Sequence, residues 1–226
     1  MRDSLLSYFG YKDDASGTVW GAVTKNGASL EYTYDDGYYG RTFGASAYAY
    51  RGKNVAHNHS YSFSGTMYVH AMKPTLYEDM TIGISLFYQN FKQNQNHFSL
   101  GNGGYFSPQN YLIASIPFTY MKRTDNLTFR LSASLGYQTY KQKEQDFYPN
   151  HTYFQQSLEE LTDLGFASRS KFASKDENGV GGSIKATLDY YVLDDLVVGG
   201  SLSYSTFGEY KEMYEMLYIK SILGDL

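Results

Sequence analysis

From Leu127 to Tyr140 the chain reads LTFRLSASLGYQTY. Leu127, Phe129, Leu131, Ala133, Leu135 and Tyr137 fall on one face. Thr128, Arg130, Ser132, Ser134, Gly136 and Gln138 fall on the other. A period of two is the signature of a β-strand with two unlike faces, and no helix can carry it. The same alternation returns in SIKATLDYYV, where Ile184, Ala186, Leu188, Tyr190 and Val192 oppose Ser183, Lys185, Thr187, Asp189 and Tyr191. It also runs through TIGISLFYQN, YSFSGTMYVHA and LVVGGSLSYST. The pattern predicts about ten strands, over residues 18–25, 28–35, 40–50, 58–72, 79–91, 111–122, 127–141, 180–193, 196–207 and 212–223.

The alternation alone does not say which face points inward. A soluble barrel fills its interior with apolar side chains, whereas a membrane barrel turns an apolar band outward around a polar lumen. Two features favour the membrane arrangement. Strands of about 10–14 residues exceed the usual globular length of about 5–6 and match the 9–11 that cross a bilayer at a tilt. The chain also carries 25 tyrosines beside 14 phenylalanines and one tryptophan. Tyrosines recur near strand ends, where an interfacial girdle of amphipathic rings belongs. The fold class expected is therefore all-β: an antiparallel up-and-down transmembrane β-barrel, with a short helix in a long loop. A soluble β-protein is the alternative.

The 226 residues suit one β domain, 1–226. A net charge of −4 with both signs interspersed leaves no nucleic-acid footprint. The absence of cysteine excludes disulfides and thiolate metal sites. No apolar run of about 18 residues is present, so no transmembrane helix is expected. MRDSLLSYFG has charges of both signs and no apolar core, unlike a signal peptide. Export would then depend on sequence upstream, and the chain is expected to be the C-terminal piece of a longer protein and a larger barrel.

The connections are unequal. KNGA and DDGYYG carry Asn-Gly and Asp-Gly, strong hairpin signals, and RTDN and LDDL are also tight. The stretches 92–110 and 142–179 are long. Short periplasmic turns and long outside loops would set odd strands running outward and return the last strand to the periplasm. A hairpin at Asn26-Gly27 is out of place in that scheme, because it would be a short turn on the outward side. In the longest loop, HTYFQQSLEELTDLGF changes period: Phe154, Leu158, Leu161 and Leu164 predict an amphipathic helix that caps a pore or packs on its rim.

Few residues suggest chemistry of their own. His57 and His59 could begin a metal site, yet no third ligand has a recognisable spacing, so neither metal nor cofactor is expected. Asp13-Asp14, Asp35-Asp36 and Asp194-Asp195 read as turn residues. GNGGYF lacks the Gly-Lys-Ser/Thr of a phosphate loop. The polar strand faces are more informative as a set. They place Tyr48, Tyr50, Tyr68, Phe87, Gln89, Arg130, Gln138, Lys185, Asp189 and Tyr191 inside a barrel. There, rings could cover the apolar face of a sugar while amides and charges take its hydroxyls. In LGNGGYFSPQNY, Gly103 and Gly104 permit a tight corner, Pro108 precedes the returning strand, and Tyr105, Phe106 and Tyr111 are expected to pack at the rim or line the pore mouth.

GGYFSPQNY, together with RDSLLSYFGYKDDASGTVWGAVTKNGASLEYTYDDG and DLVVGGSLSYS, resembles the C-terminal barrel domain of the cellulose synthase operon protein C family. The second stretch follows that family's S-L-L-S-Y and S-G-x-x-W-G-x-V pattern, and the matches span residue 2 to about 220. The resemblance implies a non-enzymatic outer-membrane pore that exports cellulose or a related exopolysaccharide in biofilm matrix synthesis. Its implied partners are outer-membrane lipid, a cellulose-like polysaccharide chain, and periplasmic and inner-membrane synthase components reached through an upstream repeat region. It further implies a complete barrel of about sixteen strands, preceded by tetratricopeptide repeats. Neither the repeats nor some six strands are in this chain. An autonomous ten-stranded surface protein, either an omptin-like enzyme or an adhesin, is the alternative function.

Overall fold

The computed structural model describes residues 4–14, 16–209 and 211–221. In chain order it contains α1 (Leu5–Phe9), β1 (Tyr11–Lys12), β2 (Val19–Asp35), β3 (Tyr39–Lys53), β4 (Asn58–His70), β5 (Glu78–Phe91) and β6 (Gln109–Arg123). These are followed by β7 (Leu127–Gln142), β8 (Gln145–Asp146), α2 (Thr152–Asp163), β9 (Lys171–Phe172), β10 (Lys175–Leu193), β11 (Leu196–Ser205) and β12 (Glu212–Ser221). Ten strands form one sheet in the order β1-β2-β3-β4-β5-β6-β7-β10-β11-β12, with every pair antiparallel. The short pair β8–β9 stands apart. The fold is thus an all-β up-and-down sheet.

The count of ten agrees with expectation, but its make-up does not. Residues 18–25 and 28–35 are one strand, β2, and Asn26-Gly27 is not a turn. Asn26 pairs with Ala49 and Gly27 with Tyr48. A side chain at position 27 would overlap the Ala47 carbonyl and the Tyr48 ring, so this glycine allows close strand approach rather than chain reversal. The tenth strand is instead the two-residue β1. Merging the first two strands also removes the misplaced hairpin. The connections at 36–38, 71–77, 124–126 and 194–195 lie at one end of the sheet, and those at 54–57, 92–108, 143–174 and 206–211 lie at the other. We call these the short-turn and long-loop ends. The alternation predicts a closing strand to residue 223; β12 is described to Ser221, and 222–223 lie outside the described residues.

The two faces sort as the alternation predicts, and in the sense opposite to a water-soluble protein. Ile84, Leu86, Ile116, Leu135 and Val180 stand 55–74% exposed on one face. Thr128, Gln138, Asp189 and Ser201 are buried on the other. Pro117 lies within the sheet, and the β5–β6 ladder is interrupted there between Ile82↔Phe118 and Ser85↔Ser115, as a missing N–H requires. The sheet curls around its polar face: Lys25 near one edge, Phe87 in the middle and Glu212 at the other edge line a single cavity.

Helix α2 forms where the change of period predicts, over Thr152–Asp163. Its apolar stripe is not what it buries. Phe154, Leu161 and Leu164 are exposed, and the buried residue is Gln155. The Gln155 amide donates to the Ser170 carbonyl and to Glu159, and its Oε1 accepts from the Tyr148 N–H.

Candidate functional site

The loop 92–108 does not rise from the sheet end but folds into the polar face. Its sequence, KQNQNHFSLGNGGYFSP, is rich in uncharged amides, and Asn94, Gln95, Asn96 and Asn102 are buried. Asn94 donates to the Lys143 carbonyl at 3.1 Å, Asn102 to Ser99 at 3.0 Å, and the Gln95 N–H to Ser107 Oγ at 2.6 Å. Asn96 donates to Glu209, which also accepts from Gln142 at 3.0 Å. Asn58 on β4 grips Gln93 from both sides, donating to its carbonyl and accepting from its N–H. A loop buried among polar groups must satisfy its own backbone, and short amides do this without burying charge. His97 stacks on Phe172 at 3.7 Å, and burial pushes its imidazole pKa down against the opposing pull of Glu209.

The second half of the loop is aromatic. Gly104 has φ +67°, the left-handed conformation a glycine supplies. A side chain there would meet Ser4 and Leu6 of the α1 segment. From this corner Tyr105 enters the polar face and stacks on Tyr50 at 5.3 Å, with Phe91 closing the cluster at 6.1 Å. Phe106 meets Tyr111 and Tyr140 edge-on at 5.6 and 5.3 Å. Pro108 is fully buried, and its carbonyl accepts from the Phe91 N–H at 3.0 Å. Tyr105, Phe106 and Pro108 sit inside the curled sheet as a plug at its long-loop end. Gly103 is held there by Ser7, whose hydroxyl donates to its carbonyl at 2.8 Å.

Directly beneath the plug is a cavity of about 290 Å³. Phe87, Phe106 and Tyr111 give it aromatic walls, Gln89 an amide, and Lys25 and Glu212 opposite charges. Tyr111 donates to Gln138 Oε1 at 3.0 Å, which also accepts from the Gly208 N–H at 2.6 Å. Such a space offers ring faces for the C–H surface of a sugar and donors and acceptors for its hydroxyls.

The ten polar-face residues read from the sequence divide into groups. Tyr50, Phe87 and Gln89 line the cavity. Tyr48 packs beside Tyr50 with the Lys25 ammonium 3.7 Å over its ring, and Gln138 is one hydrogen bond away through Tyr111. Tyr50 and Gln138 are spoken for within the protein, since Tyr50 also bonds Ser60 at 3.1 Å. Asp189 and Arg130 belong to a second cluster further along the face. Buried Asp189 accepts from Tyr218 at 2.5 Å, from Arg130 at 3.1 Å and from Lys220 at 3.3 Å. Lys185 stands exposed on the same face, and Tyr191 lies near the short-turn end under the Arg123 guanidinium at 5.5 Å.

Tyr68 joins a third cluster that the sequence reading does not contain. Its hydroxyl donates to Asp35 at 2.8 Å. His70 is held between two carboxylates, Nδ1 to Asp79 at 2.7 Å and Nε2 to Asp35 at 3.0 Å. With both ring nitrogens occupied, His70 ties β2, β4 and β5 together and has no nitrogen left over to take a substrate's proton. His57 and His59 are exposed. Among the described residues no group of three or more candidate ligands could hold a metal ion.

Fold and site together define a class: an antiparallel β-sheet whose outer face is apolar and whose concave face is polar, aromatic and plugged at one end. Within it the family is clear. A model of the C-terminus of cellulose synthase operon protein C matches residues 1–223, and the chain belongs to that family. Among curated relatives, the cellulose synthase operon protein C of Xanthomonas axonopodis pv. citri (strain 306) is 30% identical over the whole chain. Those of Pseudomonas fluorescens (strain SBW25) and Escherichia coli (strain K12) are each 28% identical, over 100% and 97% of the chain. The chain spans only 16–19% of the length of these relatives.

Proposed function

We propose that this chain is the membrane-embedded part of an outer-membrane β-barrel through which cellulose, or a related exopolysaccharide, leaves the cell during biofilm matrix synthesis. The observation that carries this is the sorting of the two faces. Apolar side chains cover the convex face, where water would make them a large liability and lipid would not. Rings, amides and charges line the concave face. The relatives are cellulose synthase operon proteins by name. Strands of 13–19 residues in β2 to β7 and β10 are long enough to cross a bilayer at a tilt with residues to spare. On this reading the long-loop end faces outside, and the short-turn end faces the periplasm and the synthase components that deliver the polymer.

In this reading the chain does no chemistry. Phe87, Tyr111, Gln89, Arg130 and Lys185 offer a moving glucan a series of weak, exchangeable contacts, as conduction requires. The plug of residues 92–108 closes the outer mouth and moves aside for the polymer. Deleting the gene should abolish secreted β-glucan while membranes still polymerise glucose from its activated donor. Unchanged secretion would refute the reading.

A further inference from the structure

On the outer face of β3, β4 and β5, at the long-loop end, cations gather without partners. Arg51 of β3 faces outward, two residues beyond Ala49, which pairs with His59 of β4. His59 is in turn joined to Lys92, whose N–H donates to the His59 carbonyl at 2.9 Å. Lys53 and His57 flank this row, and all five side chains are exposed. Among the described residues none of Arg51, Lys53 and Lys92 is paired with a carboxylate. The outward carboxylate of these strands, Glu78, lies at the opposite end, where it accepts from Tyr120.

What lies below the row matters as much. Two residues along β4 from His59, Tyr61 contacts Tyr88 of β5 with ring centroids 6.1 Å apart, and Phe63 continues the aromatic surface. Two residues of strand rise about 7 Å. The outer surface therefore reads, from the middle of the sheet toward the long-loop end, as aliphatic, then aromatic, then cationic. That is the order of acyl chain, interface and anionic headgroup in a membrane leaflet.

We propose that this face binds a bisphosphorylated saccharolipid of the lipid A class, its phosphates held by Arg51 and Lys92 and its sugar ring resting above Tyr61 and Tyr88. The proposal rests on the outer-membrane reading and its orientation. Guanidinium takes phosphate oxygens in pairs, and ammonium adds a point charge. The His57 and His59 rings supply further donors. Phosphatidylglycerol and phosphatidylethanolamine each carry one phosphate, so a row spread over three adjacent strands fits two phosphates bridged by a sugar better than one.

The test uses the full-length protein in mild detergent, with lipid A binding counted by native mass spectrometry. One variant pair is Arg51→Ser/Lys92→Ser; the control is Lys73→Ser/Lys122→Ser near the short-turn end. Heat-modifiable migration first establishes that each has folded. Each cation near an anionic surface contributes about fivefold in affinity, so the first pair should lose lipid A at least about tenfold while the control keeps it. Lipid A stripped of both phosphates should bind all forms weakly. Equal binding by R51S/K92S, or by the phosphate-free lipid, would overturn the proposal, as would equal competition by phosphatidylglycerol. Wild-type protein absent from the outer-membrane fraction would overturn both this and the reading beneath it; correct location with unaltered lipid binding overturns only this.

Discussion

Replacing Tyr105 by alanine should open the plug without unfolding the sheet. The ring is buried to 1% exposure, stacked on Tyr50 at 5.3 Å and packed against Phe91 at 6.1 Å. Truncating a buried aromatic to alanine costs about 3–5 kcal/mol, and a loop that can partly collapse sits near the low end. About 3 kcal/mol raises the opening equilibrium of the loop by about 150-fold. The strand ladders do not depend on this ring, so global stability should stay nearly constant. Hydrogen exchange reads the two effects apart. The loop-anchoring amides of Gln95 and Ala56, which donate to Ser107 Oγ and the Gly101 carbonyl, should exchange about 100-fold faster. Amides of the β6–β7 ladder should change by less than about threefold. Equal acceleration in both places would mean the ring supports the whole sheet, and no acceleration in either would mean the loop is held by its amides alone.

Three further outcomes follow. His97 has a folded-state pKa below its ordinary 6.5, so the unfolded or opened loop takes up the proton first; the closed loop should be fully stable above about pH 6.5 and weaken as pH falls below it. Exchange of the Gln95 amide measured from pH 7.5 to 5.5 should show this, and His97→Gln should flatten it. Asp189→Asn leaves Arg130 and Lys220 facing each other without their carboxylate. Because both cations are half exposed, the loss should be about 1–2 kcal/mol in urea unfolding from detergent, against less than about 0.5 for Lys141→Ala in its exposed pair with Asp176. Gly40→Val should push the Tyr68 ring off the site where it now covers the glycine, break its bond to Asp35, and cost about 1–3 kcal/mol in the same assay.

The face of every long strand was legible because alternation is a local property, repeated in each strand. All ten polar-face residues chosen from it lie on one side of the sheet in the observed register. Asn26-Gly27 carries a two-residue turn signal that the parity around it overrides. Lys25, Gly27, Ser29, Glu31 and Thr33 keep the polar face unbroken through that point, and a real hairpin would have reset it. The plug was visible only as a label. Nothing local says that a polar loop will turn inward, although the run from Gln93 to Asn96, all amides without a carboxylate, hints at a segment built for burial. The Asp35–His70–Asp79 tie was invisible, since it joins residues 35 apart through a register that the sequence does not state.

The central claim is that the polar face of the sheet is the path of the polymer. Phe87 and Leu86 are neighbours in the chain on opposite faces of β5, Phe87 lining the cavity and Leu86 60% exposed on the convex side. A photocrosslinking phenylalanine analogue placed at each position, in cells that are secreting glucan, tests the claim directly. The account predicts a cellulase-sensitive adduct from position 87 and none from position 86. An adduct at 86 alone, or none at 87 while glucan is still secreted, would contradict it.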